Sequence, residues 1–347
     1  MIAYYVHHHG SGHVRRAATI AAHASSPVLG LSSLPAPDGW AGPWIRLPLD
    51  DGGGVDHEAR DVTAGATLHW APTQHDGLRR RMNLISDALV DHAVDLLVAD
   101  VSVEVALLAR LHGVPVVVMA QPGERTDRPH RAAFDLATRL LAPWPATSES
   151  DWPPHWLSKT VHLGALSRFD GRVPAPARPG RRVLALWGAG GVDIGTDDLQ
   201  AAAAHTPDWT WEVVGLSPPD RTGPPNLHWR GWLNDVWPAL CDATVVVTHA
   251  GQNALAEVAA ARRPAVVLPQ DRPHDEQHAS ARTLRRAGIG IVRPRWPAAP
   301  EWPGVLEDAV SLGGDGWSRW SSGQGAARAA AELDRLAGVH CAGAHSG

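Results

Sequence analysis

The residues best able to do chemistry sit in one stretch, His249-Ala250-Gly251-Gln252-Asn253, followed by Glu257 and then by Glu276-Gln277. Ala243 to Thr248 reads as a strand and Gln252 to Ala261 as the helix after it, so His249, Ala250 and Gly251 form the turn at the helix N-terminus. That end carries free N–H groups and the positive end of the dipole, which suits an anion. Gly251 allows close backbone approach, while His249, Gln252 and Asn253 add donors to phosphate oxygens. Glu257 lies about one turn past Asn253 and can accept from two neighbouring hydroxyls, as a ribose offers. A nucleotide diphosphate is the economical ligand. Singly, each residue has a plainer use: Asn253 as a helix cap, Glu257 as a solvated helix residue. It is the joint spacing that argues for a site.

The elements around this stretch define its setting. In the first half, Ile2 to Val6 is an apolar run that stops at Gly10-Ser11-Gly12, and a helical pattern follows from His13 to His23. Asp95 to Asp100 reads as a buried strand, Val103 to Leu111 as a helix and Val114 to Met119 as the next strand, while Gly39 to Asp76 reads as irregular. Between 171 and 182 the prolines exclude a helix or a central strand, so this segment is expected to be a linker. The alternation then restarts. Strand Val183 to Trp187 leads to the turn Gly188-Ala189-Gly190-Gly191 and a helix near Asp197 to His205, and then come strand Trp211 to Gly215 and a helix near Asn234 to Cys241. After the stretch itself follow strand Ala265 to Leu268, a helix from Asp275 to Ala287 and a final helix from Gln324 to Leu336. Short apolar strands alternating with helices mean parallel sheets covered on both faces. The expected organisation is two doubly wound, Rossmann-like α/β domains facing across a cleft: residues 1–170, a linker at 171–182, residues 183–321, a C-terminal helix at 322–338 and a tail at 339–347. Ligands bind at the carboxyl ends of such strands, where both Gly-rich turns lie.

Composition removes several functions. Lys159 is the only lysine among 347 residues, so no Gly-Lys-Ser/Thr phosphate loop can be built. The net charge of −5, without arginines interleaved with aromatics, gives no footprint for nucleic acid. Two cysteines, Cys241 and Cys341, make no disulfide framework and no metal-ligand spacing. No spanning segment or secretory signal is read, which points to the cytoplasm. His7-His8-His9 follows the first strand and is read as local, so no metal is expected.

The segment Trp232 … His249-x-Gly251-x-Asn253-x-x-x-Glu257 … Pro264 … Pro269 … Glu276-Gln277 resembles the donor-binding signature of GT-B glycosyltransferases. That superfamily includes UDP-sugar transferases acting on natural products and the N-acetylglucosaminyltransferase that completes the lipid-linked peptidoglycan precursor. The resemblance is most specific over Trp229 to Val292. It extends more weakly to Gly188–Gly191 and to the Gly10-Ser11-Gly12-His13 turn, and departs from the plant-type pattern at Ala250, Gln252 and Leu233-Asn234-Asp235. It implies that His249 and Asn253 contact the diphosphate and that Glu257 holds the ribose. It also implies that Glu276 and Gln277 hold the sugar hydroxyls and that Trp232 lies beside the base. The implied function is transfer of a sugar from a nucleotide diphosphate sugar, UDP-sugar first, to an acceptor hydroxyl.

Such transfer needs a base for the acceptor proton and donors for the leaving diphosphate. His13 is the candidate base, at a helix start where the dipole favours neutral imidazole, and the family holds a histidine at this place. Asp100 is the candidate partner, with an N-cap as its plainer role, and Glu104 is the fallback partner or base. The expected reaction is direct, inverting displacement without a metal or other cofactor, with Gly10, Gly12 and Gly188, Gly190 and Gly191 presenting N–H groups to the diphosphate. His130, Trp70 and His75 are candidate acceptor contacts. The acceptor is a small molecule or lipid-linked, the latter needing only peripheral contact at the inner face of a membrane. A sugar-nucleotide epimerase of the same fold would use the same donor site without an acceptor, and a non-catalytic sensor would bind without turnover. A nicotinamide dehydrogenase is disfavoured because Arg15 and Asp193 stand where its third glycine belongs.

Overall fold

A computed structural model of the chain describes all residues except 52–54, 147–151, 177, 189–193, 219–222 and 344–347, with residues 11 and 339–343 described through their backbone alone. Its contacts divide the chain into two units, Met1–Pro143 with Ser150–Leu163 and Gly325–Gly347, and Trp144–Glu149 with Gly164–Gln324.

The first unit is a parallel sheet of β1 (Ile2–Val6), β2 (Val28–Ser32), β3 (Trp44–Arg46), β4 (Leu96–Asp100), β5 (Val116–Met119), β6 (Arg139–Ala142) and β7 (Thr160–His162) in the order β3-β2-β1-β4-β5-β6-β7. Its helices are α1 (Ser11–Ala21), α2 (Asp76–Asp91), α3 (Val103–Leu111), α4 (Arg128–Leu136) and the short α5 (Pro154–Leu157). Strands β1, β2 and β4 are buried at every position, as a sheet covered on both faces requires.

The second unit is a parallel sheet of β8 (Arg182–Leu186), β9 (Thr210–Val214), β10 (Leu227–Gly231), β11 (Val245–His249), β12 (Ala265–Leu268) and β13 (Ile291–Val292), ordered β10-β9-β8-β11-β12-β13. Its helices are α6 (Thr196–Ala204), α7 (Trp237–Asp242), α8 (Gln252–Ala261), α9 (Glu276–Ala287) and α10 (Trp302–Leu312). Alternation along the strands builds a core on each face. Leu184, Leu186 and Val246 pack with Leu240, Leu255 and Leu284, while Val183, Ala185 and Val247 pack with Leu199, Trp211 and Trp302. The last helix, α11 (Gly325–Gly343), belongs to the first unit and packs on α1.

The doubly wound α/β class read from the alternation is what the structure shows, with local corrections. Helix α1 starts at Ser11 rather than His13, because Gly10 at φ 81° ends the turn, and Gly12 lies inside the first helical turn. The 39–76 region contains β3, and α7 starts at Trp237, not Asn234. The changeover between units falls at Leu163 and Gly164, ahead of the Pro-rich 171–182 segment. There Ala165 N–H already bonds Trp320 O at 2.9 Å and Phe169 enters the second core, so 171–182 lies within the second unit.

Candidate functional site

In each sheet the order of strands reverses direction once, between β1 and β4 and between β8 and β11. Ligands of open parallel sheets bind outside the carboxyl ends of the strands at such a switch point. Both candidate clusters lie there.

In the second unit His249 ends β11 beside β8, which Gly188 closely follows. Gly251 N–H donates to His249 Nδ1 at 3.0 Å, so Nδ1 must accept and the imidazole proton sits on Nε2. A Cβ on Gly188 would stand 3.9 Å from that Nε2, and a Cβ on Gly251 would stand 2.5 Å from His249 Cε1. Gly251 is therefore required by the packing of the His249 ring. It also serves as N-cap of α8 with no side-chain cap, at a helix end whose N–H groups and dipole suit an anion. Asn253 is exposed on that turn, and Gln252 is half-buried.

Glu257 stands one turn further on, its Oε1 accepting from Arg168 Nε at 2.9 Å. Arg168 in turn donates to Asn234 O and lies 4.5 Å over the Phe169 ring, a brace that fixes the carboxylate. Trp232 follows β10 and is 62% exposed, a free aromatic face at the same sheet end. Glu276 opens α9, behind two residues in the left-handed region, His274 (φ 63°) and Asp275 (φ 56°), which places strain beside the site. Gln277 departs from its expected role. It is buried, and its Oε1 accepts from Ala250 N at 3.0 Å and Gln270 N at 3.1 Å, so its carbonyl ties the His249 turn to the loop after β12. Gly190 and Gly191 lie outside the described residues.

In the first unit His13, in the first turn of α1, meets Asp100, the last residue of β4. Their Nδ1 and Oδ1 are 2.9 Å apart. Arg16 grips Asp100 through Nε at 3.1 Å to Oδ2 and Nη2 to Oδ1, and Tyr4 Oη donates to Oδ2 at 3.3 Å. Against desolvation, the Arg16 charge and the hydrogen bonds from His13 and Arg16 hold the fully buried Asp100 carboxyl well below its ordinary range, while burial and the Asp100 charge push the Tyr4 phenol up. Nδ1 also lies 3.1 Å from Arg16 Nη2. The carboxylate is the nearer neighbour, so we assign the Nδ1 proton to Asp100, which leaves Nε2 as the acceptor of a substrate proton.

The cap of α3 is Ser102, not Asp100, and between them Val101 takes φ 68°, strained for a β-branched residue. Glu104 does not reach this cluster. Its Oε1 accepts from His69 N and Trp70 N at 2.8 and 3.0 Å, and its Oε2 from Ser102 Oγ, which anchors a loop to α3. Of the three acceptor candidates, His75 caps α2, Trp70 bonds Asp50 O, and His130 lines a pocket with Phe134 and Met119. His7 packs 5.9 Å from His13, and burial lowers it to about 3. His8 and His9 each approach Asp51, at 3.2 and 3.1 Å. Arg81 Nη2 lies 3.3 Å from His8 Nδ1 and can only donate, so the His8 proton is on Nε2, the wrong tautomer for a ligand there. Arg16, Tyr4 and Arg168 are residues the sequence reading missed. Arg16 alone carried a signal, being three residues past His13 on one helix face.

Solved structures decide the architecture. The glycosyltransferase of kitacinnamycin superposes at TM-score 0.68 with 17% identity, covering 96% of this chain and 98% of that one. The MurG of Acinetobacter baumannii gives 0.59 with 16% identity, over 97% and 99%. The chain has the GT-B fold. Within its second unit, residues 223–301 match the glycosyltransferase family 28 C-terminal domain, over the whole of the stretch whose spacing resembled a donor signature. Among curated proteins, a UDP-N-acetylglucosamine--N-acetylmuramyl-(pentapeptide) pyrophosphoryl-undecaprenol N-acetylglucosamine transferase of Sorangium cellulosum is 28% identical over 264 residues, 67% of this GT-B chain and 62% of that protein. The chain thus spans under two thirds of the length of the curated relatives it matches.

Proposed function

We propose that this chain is a glycosyltransferase that moves a sugar from a nucleotide diphosphate sugar to an acceptor hydroxyl with inversion. The observation that carries the reading is the His249–Gly251 turn at the switch point of the second sheet. A backbone N–H fixes the imidazole with its proton on Nε2, beside a helix N-terminus that has no side-chain cap, inside the segment that matches the family 28 domain. His249 Nε2, the α8 N–H groups and Asn253 take the diphosphate, Glu257 braced by Arg168 takes the ribose, Trp232 flanks the base and Glu276 takes the sugar. The acceptor oxygen bonds to the anomeric carbon as the bond from that carbon to the diphosphate oxygen breaks. The hydroxyl proton passes to His13 Nε2, and the nucleoside diphosphate leaves. These donors stabilise the leaving charge in this scheme, so it calls for no metal or other cofactor. UDP-N-acetylglucosamine is the first donor to test because the relatives' names state it. We place the reaction in the cytoplasm, at the membrane face if the acceptor is lipid-linked.

The test is thermal stabilisation by UDP, TDP and GDP. One of them should raise Tm, and the effect should be lost in His249→Ala. No response to any of the three would sink the donor site. Conversion of the donor to its epimer in the absence of any acceptor would instead make the chain an epimerase.

A further inference from the structure

Helix α9 buries Gln277, Ser280, Ala281 and Leu284. These are positions i, i+3, i+4 and i+7, the face a helix turns to a core. Ala281 and Leu284 pack in the same core as Leu255 and Val267, and Gln277, 3% exposed, heads that face. Glu276, the first residue of α9, stands about 100° round the helix from it.

A primary amide on a buried face must find partners there, because a buried polar group left unpaired costs more than its bond would gain. The partners of Gln277 are backbone groups of two segments. Strands β11 and β12 run parallel, and their register ends with His249 opposite Leu268. Just past that end, the N–H groups of Ala250 and Gln270 both donate to Gln277 Oε1, at 3.0 and 3.1 Å. Two N–H donors on one atom require it to be the oxygen, so the amide has a single orientation. Its Nε2 then donates to Gln270 Oε1 at 3.4 Å, an oxygen that also accepts from Arg272 Nη2 at 2.9 Å. The side chain adds a rung beyond the end of the ladder.

That rung bears on the imidazole. Ala250, 1% exposed, lies between His249 and Gly251, whose N–H sets the His249 tautomer. A Cβ on Gly251 would stand 3.8 Å from Gln277 Nε2, so the amide also borders the glycine. Without the Gln277 carbonyl, Ala250 N–H loses its acceptor inside the protein, and the turn must shift to satisfy it. The His249 ring and the start of α8 shift with the turn.

We propose that Gln277 is a positioning residue of the diphosphate site, holding the His249 turn and touching no atom of the transferred sugar. The proposal rests on the transferase reading above and deepens it: Gln277 governs affinity for the nucleotide diphosphate whatever sugar that diphosphate carries. On α9, contact with the sugar falls to Glu276 alone.

Calorimetric titration of the full chain with UDP and with UDP-N-acetylglucosamine tests it, on the parent and on Gln277→Met, which keeps the length of the side chain and removes the acceptor. Both dissociation constants should rise about tenfold, as for one lost hydrogen bond, and their ratio should stay within about twofold of the parent ratio. A rise confined to UDP-N-acetylglucosamine would mean that Gln277 touches the sugar, and two unchanged constants would mean that it only packs. Either result overturns the proposal. If Gln277→Met does not fold, Gln277→Glu decides, because it keeps an accepting oxygen and its added charge acts on the diphosphate common to both ligands. The ratio of constants should then hold at the parent value, and a changed ratio overturns the proposal. A parent that binds neither ligand is the failure of the donor reading itself, seen before any variant is made, and the proposal falls with it.

Discussion

At the scale of single residues, the two clusters fail in different ways when cut. His13 is partly exposed and contributes through one nitrogen, so His13→Ala should lower transfer by about 10²–10⁴-fold, the usual worth of a general base, and leave both Tm and UDP binding near the parent values. A His13→Ala enzyme working at the parent rate would remove His13 from the role. Asp100 is different because it is fully buried against Arg16. Asp100→Asn leaves that guanidinium uncompensated and should cost about 3–5 kcal/mol of stability as well as activity, measured by urea unfolding beside the kinetics. In the second unit Gly251→Ala puts a methyl 2.5 Å from His249 Cε1, and the ring must move. A UDP dissociation constant raised about tenfold is the expected result, about 1.4 kcal/mol, and an unchanged constant would show that His249 does not touch the diphosphate.

Among the elements, those with local signals were legible. Helices α3 and α8 and strand β12 run between the residues their apolar pattern and flanking turns marked. Edge elements were not: β10, Leu-His-Trp-Arg-Gly, alternates with exposed polar side chains and owes its conformation to β9, and α10 opens with a proline and glycine that read as loop although proline is tolerated in a first turn. The candidate site divides the same way. The His249 to Glu257 spacing is written along one helix, whereas the Tyr4–Asp100 and Arg168–Glu257 pairs join residues 96 and 89 positions apart, which no local period encodes. Helix α11 shows how far such couplings reach within the first unit. Leu333 is buried, and Asp334 accepts from Ser25 N and Ser26 N at 2.7 and 2.8 Å. Leu333→Ala should cost about 2–5 kcal/mol. Hydrogen exchange read by peptide should quicken in β1 and β4, with β8 and β11 unaffected. Quickening spread evenly over both sheets would show that the two units unfold as one.

For the whole molecule, the sum of charge, −5, says less about acid stability than where the histidines are buried. His7, faced by His8, His9, His13 and Asp100, is lowered from 6.5 to about 3, chiefly by burial. His130, faced by Asp127, Arg125 and His69, is lowered from 6.5 to about 4, again chiefly by burial. The unfolded chain protonates both as pH falls below 6.5 and the folded chain does not, so the unfolded state binds more protons. Their contribution is therefore complete above pH 6.5 and is lost as pH falls toward 4 and then 3. Asp127, lowered to about 2, adds a loss of the same sign that begins only below about pH 4, the unfolded value. Between pH 6 and 4 unfolding should take up about two protons, giving a slope of about 2–3 kcal/mol per pH unit in urea titrations. The double variant His7→Gln with His130→Gln should flatten that slope while leaving stability at pH 7.5 less changed than at pH 4.5. Stability that stays level from pH 6.5 to 4.5 in the parent, or a slope the double variant keeps, would show that neither imidazole is buried neutral in the folded chain.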